Sequence, residues 1–333
     1  MSRPSRPLFA LLLTAALAVP ATVLPAGTAS AAAASAGTAS TGTARPATRP
    51  TAAVWPADRL PAPTTANLDP PLYARSTTLD VLAWYDGAWT TIGDRYTASA
   101  LHAGGGGVVA EEPDTGNLYA WDATPDSWTR IGGPAAQVVV DDTGHVFALS
   151  PDRSAVLAWR GGRTWQKIAG PSQQIYAGGD RVVFRTDAAG DLYTNRDTPG
   201  AWRKISGPST QFTASTQGYV SRRNAQGSAE VWDGTNWTQV DYYGGRMYGG
   251  DYYTGGMWVL QTGFNPRICP NFTLFKEVKA GGGRSTCGVG RTYSADSRRS
   301  IYAEDPTAGV LRWISGSGTW QRIGDPVGWI EAG

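Results

Sequence analysis

The chain has 333 residues, with 29 lysines and arginines against 27 aspartates and glutamates. Five arginines and two acidic residues precede position 72, so the remaining 24 basic and 25 acidic side chains leave residues 72–333 nearly neutral. A neutral body lacks the electrostatic footprint of a nucleic-acid or anionic-lipid binder. The 42 glycines, 22 prolines and 11% aromatic residues favour many short strands joined by tight turns over a helical protein.

The first 31 residues have the organisation of an export signal. The basic segment MSRPSRP precedes the apolar stretch LFALLLTAALAVPATVL, and Ala29-Ser30-Ala31 supplies the small residues that signal peptidase requires. Pro20 interrupts the apolar stretch, which is shorter than the roughly 20 residues of a membrane-spanning helix. We therefore predict a signal peptide over 1–31 and a secreted, extracellular protein without membrane insertion.

Residues 32–71 are rich in alanine, threonine and proline and show no periodicity. Such a segment buries too little apolar surface to offset the entropy lost on ordering, so we predict a disordered linker. The domains are then 1–31, 32–71 and a folded body over 72–333.

Cys269 and Cys287 are the only cysteines, and both lie in the exported part. An oxidising destination favours a disulfide between them. We expect Cys269 to precede the last strand of one repeat and Cys287 to lie in the first strand of the next, so that the bridge joins two neighbours.

The catalytic residue types are few. His102 stands beside a run of glycines and His145 in a DTGH turn, and both read as loop residues without an orienting partner. The sequence has no metal-binding, nucleophile-elbow, phosphate-loop or dinucleotide motif. We predict no catalytic residue, no metal and no cofactor, although the carboxylates are numerous and spacing alone cannot pair them.

One phrase recurs at intervals of 35 to 45 residues: an aromatic residue, two further residues, Ile or Val, then small residues and often Pro. The aromatic positions are Trp89, Trp128, Trp165, Trp202, Trp237, Phe275 and Trp320. A fixed period of this length indicates a repeat architecture. An aromatic side chain at the same place in every repeat, with Ile or Val three residues on, predicts packing between neighbouring repeats.

Each period reads as four short strands. In residues 170–206 the alternating runs QQIYAG, RVVFRT, DLYTNR and AWRKIS are separated by turn sequences. The second turn ends in glycine as PDTG, DAAG, NAQG and PTAG, which fits a left-handed position where a Cβ would clash. Four antiparallel strands per period of about 38 residues predict a β-propeller blade.

The two ends of the body complement each other. Residues 71–93 match the second to fourth strands of a blade, whereas the C-terminal PVGWIEAG matches only a first strand. Pairing 72–93 with 325–333 would remove an open sheet edge. The predicted fold is all-β: a seven-bladed β-propeller of four-stranded antiparallel blades, closed by a 3+1 strand blade from the two termini. Six blades would remain if the degenerate unit 242–280 is an insertion.

With W-x-x-I-x-G-P closing each unit and strands such as NLYAWD and DLYTNR, residues 72–333 resemble tectonin/tachylectin-type β-propeller lectins, and are similar to seven-bladed fucose-binding propeller lectins. The resemblance implies a propeller that binds sugars. The blades here diverge from one another, which argues against a full ring of equivalent sugar sites.

A second aromatic series lies in the predicted third strands. It comprises Trp84, Trp121, Trp159, Trp232 and Trp313, with Asn195 in place of Trp in the 170–206 repeat. Some of these indoles should be exposed, and an exposed indole offers a flat apolar face to a pyranose. Polar residues that could bind its hydroxyls follow directly: Asp122, Arg160, Arg196 and Asp233. The alternative is that this series also packs between blades.

The segment YYGGRMYGGDYYTGGMW at 242–258 combines tyrosines with glycines. This composition is typical of binding surfaces, but it also fits two strands of an irregular blade.

The function predicted from these patterns is a secreted, lectin-like and non-enzymatic binding module for glycans or glycoconjugates, monomeric and with several weak sites that gain avidity on one rigid disc. The alternatives are a secreted propeller hydrolase or lyase acting on polysaccharide, and a protein-interaction scaffold.

Overall fold

The structure is a computed structural model that describes residues 58–63, 71–215, 218–241, 246–248, 257–261, 274–278, 285–287, 292–295, 301–314 and 319–332. The predicted signal peptide, most of the predicted linker and Cys269 lie outside the described residues, so the predictions made for them stay predictions.

The described strands form seven four-stranded antiparallel sheets. Sheet 1 contains β1 (Leu72–Arg75), β2 (Val81–Tyr85), β3 (Ala88–Gly93) and the C-terminal β28 (Trp329–Ala332). Sheet 2 contains β4 (Ala100–Gly104), β5 (Gly107–Glu111), β6 (Leu118–Trp121) and β7 (Trp128–Gly132). Sheet 3 contains β8 (Gln137–Val140), β9 (Val146–Leu149), β10 (Val156–Trp159) and β11 (Trp165–Ala169). Sheet 4 contains β12 (Gln174–Ala177), β13 (Val182–Thr186), β14 (Leu192–Arg196) and β15 (Arg203–Ser206).

The other three sheets follow in chain order. Sheet 5 contains β16 (Gln211–Ala214), β17 (Val220–Arg223), β18 (Ala229–Trp232) and β19 (Trp237–Asp241). Sheet 6 contains β20 (Arg246–Tyr248), β21 (Met257–Gln261), β22 (Leu274–Val278) and β23 (Ser285–Cys287). Sheet 7 contains β24 (Thr292–Ala295), β25 (Ile301–Asp305), β26 (Gly309–Ile314) and β27 (Thr319–Gly324).

The first strands of the sheets lie side by side around an axis. In order they are β28, β4, β8, β12, β16, β20 and β24, and β24 in turn contacts β28. Within sheet 1, β28 pairs with β1 in the register Leu72 opposite Ala332 and Arg75 opposite Trp329, the pairing that the two chain ends predict. The chain is therefore an all-β propeller of four-stranded antiparallel blades.

The turn chemistry expected from the sequence is also present. The glycines that end the second turns have positive φ: 67° at Gly116, 83° at Gly190, 83° at Gly227 and 90° at Gly309. A side chain in this left-handed region is strained, so the sequence places glycine there.

The recurring W-x-x-I phrase forms a β-bulge. In sheet 2, Leu118 lies opposite Gly132 and Tyr119 opposite Arg130, so the intervening Ile131 has no partner in the ladder. Six of the seven described sheets contain this shift between their third and fourth strands. The bulged residues are Ile92, Ile131, Ile168, Ile205, Val240 and Ile323.

The bulge leaves a carbonyl oxygen outside the ladder, and the next sheet uses it. The Nε1 of Trp128 donates a 2.7 Å hydrogen bond to the carbonyl oxygen of Ile92 in the preceding sheet. The same bond joins Trp89 to Ile323, Trp165 to Ile131, Trp202 to Ile168 and Trp237 to Ile205. The fourth-strand tryptophans therefore link neighbouring sheets, as the sequence predicts.

The tryptophan of the neighbouring sheet also explains why a glycine can follow the bulged residue. A Cβ on Gly132 would lie 2.5 Å from the Nε1 of Trp165, and a Cβ on Gly324 would lie 2.4 Å from the Nε1 of Trp89. At these two positions only glycine leaves room for the neighbouring indole without a shift.

Sheet 6 departs from the expected boundaries. Phe275 lies in the third strand, β22, not in the fourth, and β22 pairs with β23 without a register shift. Cys287 lies in that fourth strand, opposite Leu274, so its placement in the first strand of the next blade is wrong. The longer connections before β22 displaced the phrase from its usual strand. Because Cys269 is not described, the disulfide itself stays a prediction.

Part of the predicted linker is ordered, which corrects the sequence-based boundary. Leu60 is 5% exposed and packs in the apolar cluster between sheets 2 and 3 that contains Trp159. Its amide donates a 2.9 Å hydrogen bond to the carbonyl of Gly144. The segment Asp58–Pro63, called the strap below, thus lies on the propeller. Burial of the Leu60 side chain in this apolar cluster favours that position.

Within the described part of the chain, no helix is long and apolar enough to cross a membrane.

Candidate functional site

The third-strand tryptophans are buried. Their exposed fractions lie between 0% and 7%, so the expectation that some present an open ring face is wrong. Each lies directly opposite the fourth-strand tryptophan of its own sheet, and the cross-strand partner covers part of the indole. The pairs are Trp84 with Trp89, Trp121 with Trp128, Trp159 with Trp165, Trp232 with Trp237 and Trp313 with Trp320.

The indole nitrogen also closes the hairpin that follows it. Trp121 Nε1 donates to the carbonyl of Thr124 at 2.7 Å, and Trp159 Nε1 donates to Gly162 at 2.9 Å. In sheet 4, Asn195 Nδ2 donates a 2.6 Å hydrogen bond to the carbonyl of Thr198. Like the indoles, the amide thus bonds the carbonyl of the residue three positions later. The third-strand position therefore stabilises a turn, and Asn195 retains that role while filling much less space.

Two of the predicted polar site residues, Asp122 and Arg160, form hydrogen bonds with other side chains of the protein. Asp122 Oδ2 accepts hydrogen bonds from Ser127 and Thr129, at 2.7 and 3.1 Å. The guanidinium of Arg160 makes a bidentate pair with Asp197 of the next sheet, and this pair raises the pKa of Arg160. Both residues are structural in this arrangement.

A groove of about 380 Å³ lies between sheets 4 and 5, called the sheet 4–5 groove below. The groove is lined by Val182, Thr194, Asn195, Arg196, Ala201, Arg203, Gly218, Trp232, Asp233 and Gly234. It thus brings together the predicted site residues Trp232 and Asp233 with two arginines from the neighbouring sheet. The smaller Asn195 side chain, which replaces the Trp of five other sheets, is one of its lining residues.

The polar groups of the groove are held in place. Asp233 Oδ1 accepts the backbone amides of Thr235 and Asn236 at 2.8 and 2.7 Å, and these bonds lower the pKa of Asp233. Arg203 lies over the indole of Trp232, with its Cζ 5.5 Å from the ring centroid. A guanidinium above an indole ring is a cation–π arrangement.

A second cavity, of about 280 Å³, follows the axis between the first strands. His102, Gln137, Tyr176, Thr213 and Glu331 line it together with smaller apolar residues. Burial raises the pKa of Glu331 to about 8, so this carboxyl group is largely protonated at neutral pH. The Nε2 of His102 lies 2.8 Å from the Oε1 of Glu111, a partner that the sequence did not reveal.

His145 is buried and structural. Its Nδ1 lies 3.0 Å from Asp141 Oδ2, and its Nε2 accepts a 3.2 Å hydrogen bond from Nε of Arg59 in the strap. Burial alone would raise the pKa of Asp141, but hydrogen bonds from His145 and Thr143 lower it. Among the described residues, no three His, Cys, Asp or Glu side chains are grouped closely enough to hold a metal ion.

Comparisons with known proteins bear on the fold alone. No protein-family model matches the chain, and no curated protein matches it either. Among solved structures, Prp20p from Saccharomyces cerevisiae is 9% identical, with a TM-score of 0.52 over 77% of this chain and 82% of that one. A GH74 enzyme from Niastella koreensis is 12% identical with a TM-score of 0.47, over 73% of this chain but only 43% of its own. Streptogramin B lyase, 12% identical, has a TM-score of 0.47 over 68% of this chain and 84% of its own. The likeness to Prp20p agrees with the propeller fold.

Sequence reasoning missed Arg203 as a site residue and ranked Asn195 only as a gap in a series. The signal was available: a small polar residue at a third-strand position that carries Trp in five other repeats indicates an open space between blades.

Proposed function

We propose that the protein is a secreted, lectin-like carbohydrate-binding module and that its glycan site is the sheet 4–5 groove. The observation that carries this proposal is the composition of the groove: an indole edge, two guanidinium groups and one carboxylate around an open volume of about 380 Å³. A small apolar surface with a few oriented polar groups is the usual composition of a small-ligand site.

Each group has a role in this proposal. The edge of Trp232, with Ala201 and Val182, forms the apolar side against which a sugar ring can pack. Arg203 supplies donors beside the indole, and the Oδ2 of Asp233 supplies an acceptor, because Oδ1 already holds two turn amides. Donors and acceptors around one groove match the hydroxyl groups of a sugar.

We also propose that the seven sheets are the seven blades of one ring, since their first strands follow each other in a closed cycle. In this proposal one groove on the ring replaces the several weak sites expected from the sequence. The buried Trp84, Trp121, Trp159 and Trp313 then serve the propeller and not the ligand.

The test is a glycan array probed with the purified protein and three variants. Asn195→Trp restores the residue of the other repeats and should fill the groove without disturbing the fold, and Arg203→Gln should weaken binding. Arg163→Gln is the control, because Arg163 is an exposed residue in the matching hairpin of sheet 3. The proposal is supported if Asn195→Trp and Arg203→Gln weaken or abolish glycan binding while Arg163→Gln binds like the wild type.

Absence of any bound glycan would contradict the lectin proposal and leave the scaffold alternative. Hydrolysis or lyase products released from a bound polysaccharide would favour the enzyme alternative. Binding that survives Asn195→Trp would move the site away from this groove.

A further inference from the structure

An arginine at one boundary between sheets binds a carboxylate of the next sheet. At the boundary between sheets 3 and 4, Arg160 follows Trp159 and makes two hydrogen bonds to the carboxylate of Asp197, one of them 2.7 Å between Nη2 and Oδ1. The side chain of Asp197 is only 3% exposed. Two parallel charge-assisted bonds fix both the position and the orientation of a carboxylate.

The next boundary has the same arginine without the carboxylate. Arg160 and Arg196 both directly follow the third-strand position, occupied by Trp159 in sheet 3 and Asn195 in sheet 4. Asp197 is the second residue after that position in sheet 4, and the second residue in sheet 5 is Gly234. Arg196 therefore corresponds to Arg160, whereas glycine stands where the carboxylate would be.

The place of the missing side chain is open. A Cβ built on Gly234 has no atom within 4 Å. A second guanidinium reaches the same place, since Arg203 Nη2 donates a 3.1 Å hydrogen bond to the carbonyl of Gly234. Arg196 lines the same groove, so two cationic side chains border the open position whose counterpart holds an anion one boundary earlier.

The existing charges near Arg196 leave it available. Its described partner is Asp180, at 2.8 Å, and the two side chains are 67% and 64% exposed. An ion pair this exposed contributes little and exchanges readily with solvent. The lining carboxylate, Asp233, is held by backbone amides on the opposite wall.

We propose that the sheet 4–5 groove recognises an acidic sugar, whose carboxylate occupies the position that Asp197 fills at the preceding boundary. This inference rests on the proposed function and narrows its ligand to glycans that carry a carboxylate, such as uronic acids and sialic acids. The sugar ring packs against the edge of Trp232 while Arg196 and Arg203 bind its carboxylate.

The test compares glycans that differ only in charge. Oligogalacturonates, alginate oligomers and sialylated oligosaccharides are each offered to the full-length protein as the free acid and as the methyl ester, together with neutral glycans. We expect at least one free acid to bind about tenfold or more tightly than its ester, the effect of roughly 1.4 kcal/mol. The preference should shrink as salt is raised.

Variants assign the preference to the groove. Arg196→Gln and Arg203→Gln should each reduce the acid-to-ester ratio, whereas the Arg163→Gln control should leave it unchanged. Gly234→Asp places a carboxylate in the open position and should abolish the preference, while Gly234→Asn adds the same bulk and the same backbone strain without the charge.

The outcomes separate the two proposals. Equal binding of acid and ester, or a preference that Arg196→Gln and Arg203→Gln leave intact, overturns the acidic-sugar inference while the glycan site stands. Binding of neither acidic nor neutral glycans overturns both. A preference lost in Gly234→Asp but kept in Gly234→Asn supports the inference.

Discussion

The indole Nε1 of Trp89 donates a 2.9 Å hydrogen bond to the carbonyl oxygen of Ile323, 234 positions further along the chain. The same bond joins Trp128 to Ile92 over 36 positions. The propeller is thus closed by the joint that connects its consecutive sheets, and the β1–β28 ladder adds a second closure.

We expect Trp89→Phe and Trp128→Phe to destabilise the protein by similar amounts. Each removes an indole donor and leaves a carbonyl outside the ladder, at a cost of about 1–3 kcal/mol. Urea unfolding of both variants measures the two losses. A harmless Trp89→Phe beside a damaging Trp128→Phe would show that the closing joint is weaker than the others.

Deleting residues 329–333 should lower the melting temperature sharply. The deletion removes β28, so β1 becomes an unpaired edge strand and Ile330 leaves the apolar cluster beside Tyr302. Removing Gly333 alone, which lies beyond β28, is the control. A melting temperature unchanged by the longer deletion would contradict closure through the termini.

Most of this architecture was legible in the sequence because it rests on local rules repeated along the chain. The second-turn glycines needed positive φ, and the phrase W-x-x-I encoded an indole and a bulge that neighbouring sheets share. Sheet 6 was misplaced because the phrase around Phe275 lies one strand earlier there. Spacing within a repeat cannot show how much chain the connections consume.

The strap makes a prediction at Leu60 and Gly107. A Cβ on Gly107 would lie 2.4 Å from the Cβ of Leu60, so Gly107→Ala should destabilise the protein by pushing the strap from its seat. Leu60→Ala should cost about 2–5 kcal/mol, as expected for a buried leucine.

The double variant tests whether the two residues share one space. We expect Leu60→Gly combined with Gly107→Ala to be more stable than the sum of the two single losses implies, because glycine at position 60 lacks the Cβ that the new alanine methyl would meet. Thermal unfolding of the four proteins measures this coupling. Purely additive losses of stability would show that the side chains at positions 60 and 107 do not compete for the same space.

Glu331 predicts a pH dependence of stability. The pKa of this half-buried acid is raised from 4.5 to about 8, so between these values the folded protein holds a proton that the unfolded chain has released. The free energy of unfolding should therefore fall as pH rises through this window, by up to a few kcal/mol. Urea titrations from pH 4 to 9 measure the slope.

Glu331→Gln should remove this contribution, because the amide has no proton to release. The variant should match the wild type near pH 4 and exceed its stability above pH 8. Identical pH profiles for the two proteins would contradict a strongly raised pKa at this position.

The candidate site was only partly legible. Trp232 and Asp233 were identified, but burial of the other indoles depends on the opposing tryptophan, which only the strand register reveals. Arg203 comes from a different sheet, and its position over Trp232 is a property of the packed pair. Contacts between repeats are not encoded in the pattern of one repeat.

The strap also orders events during synthesis. Asp58 pairs with Arg181, Arg59 with His145 and Leu60 with Gly144, so a segment made early contacts sheets completed much later. It cannot dock until roughly the first 200 residues have emerged, and the edge of β1 stays open until the last strand is made. The nascent chain therefore carries both an exposed leucine and an unpaired strand for most of its production, the interval in which such proteins are vulnerable to aggregation and depend on chaperones.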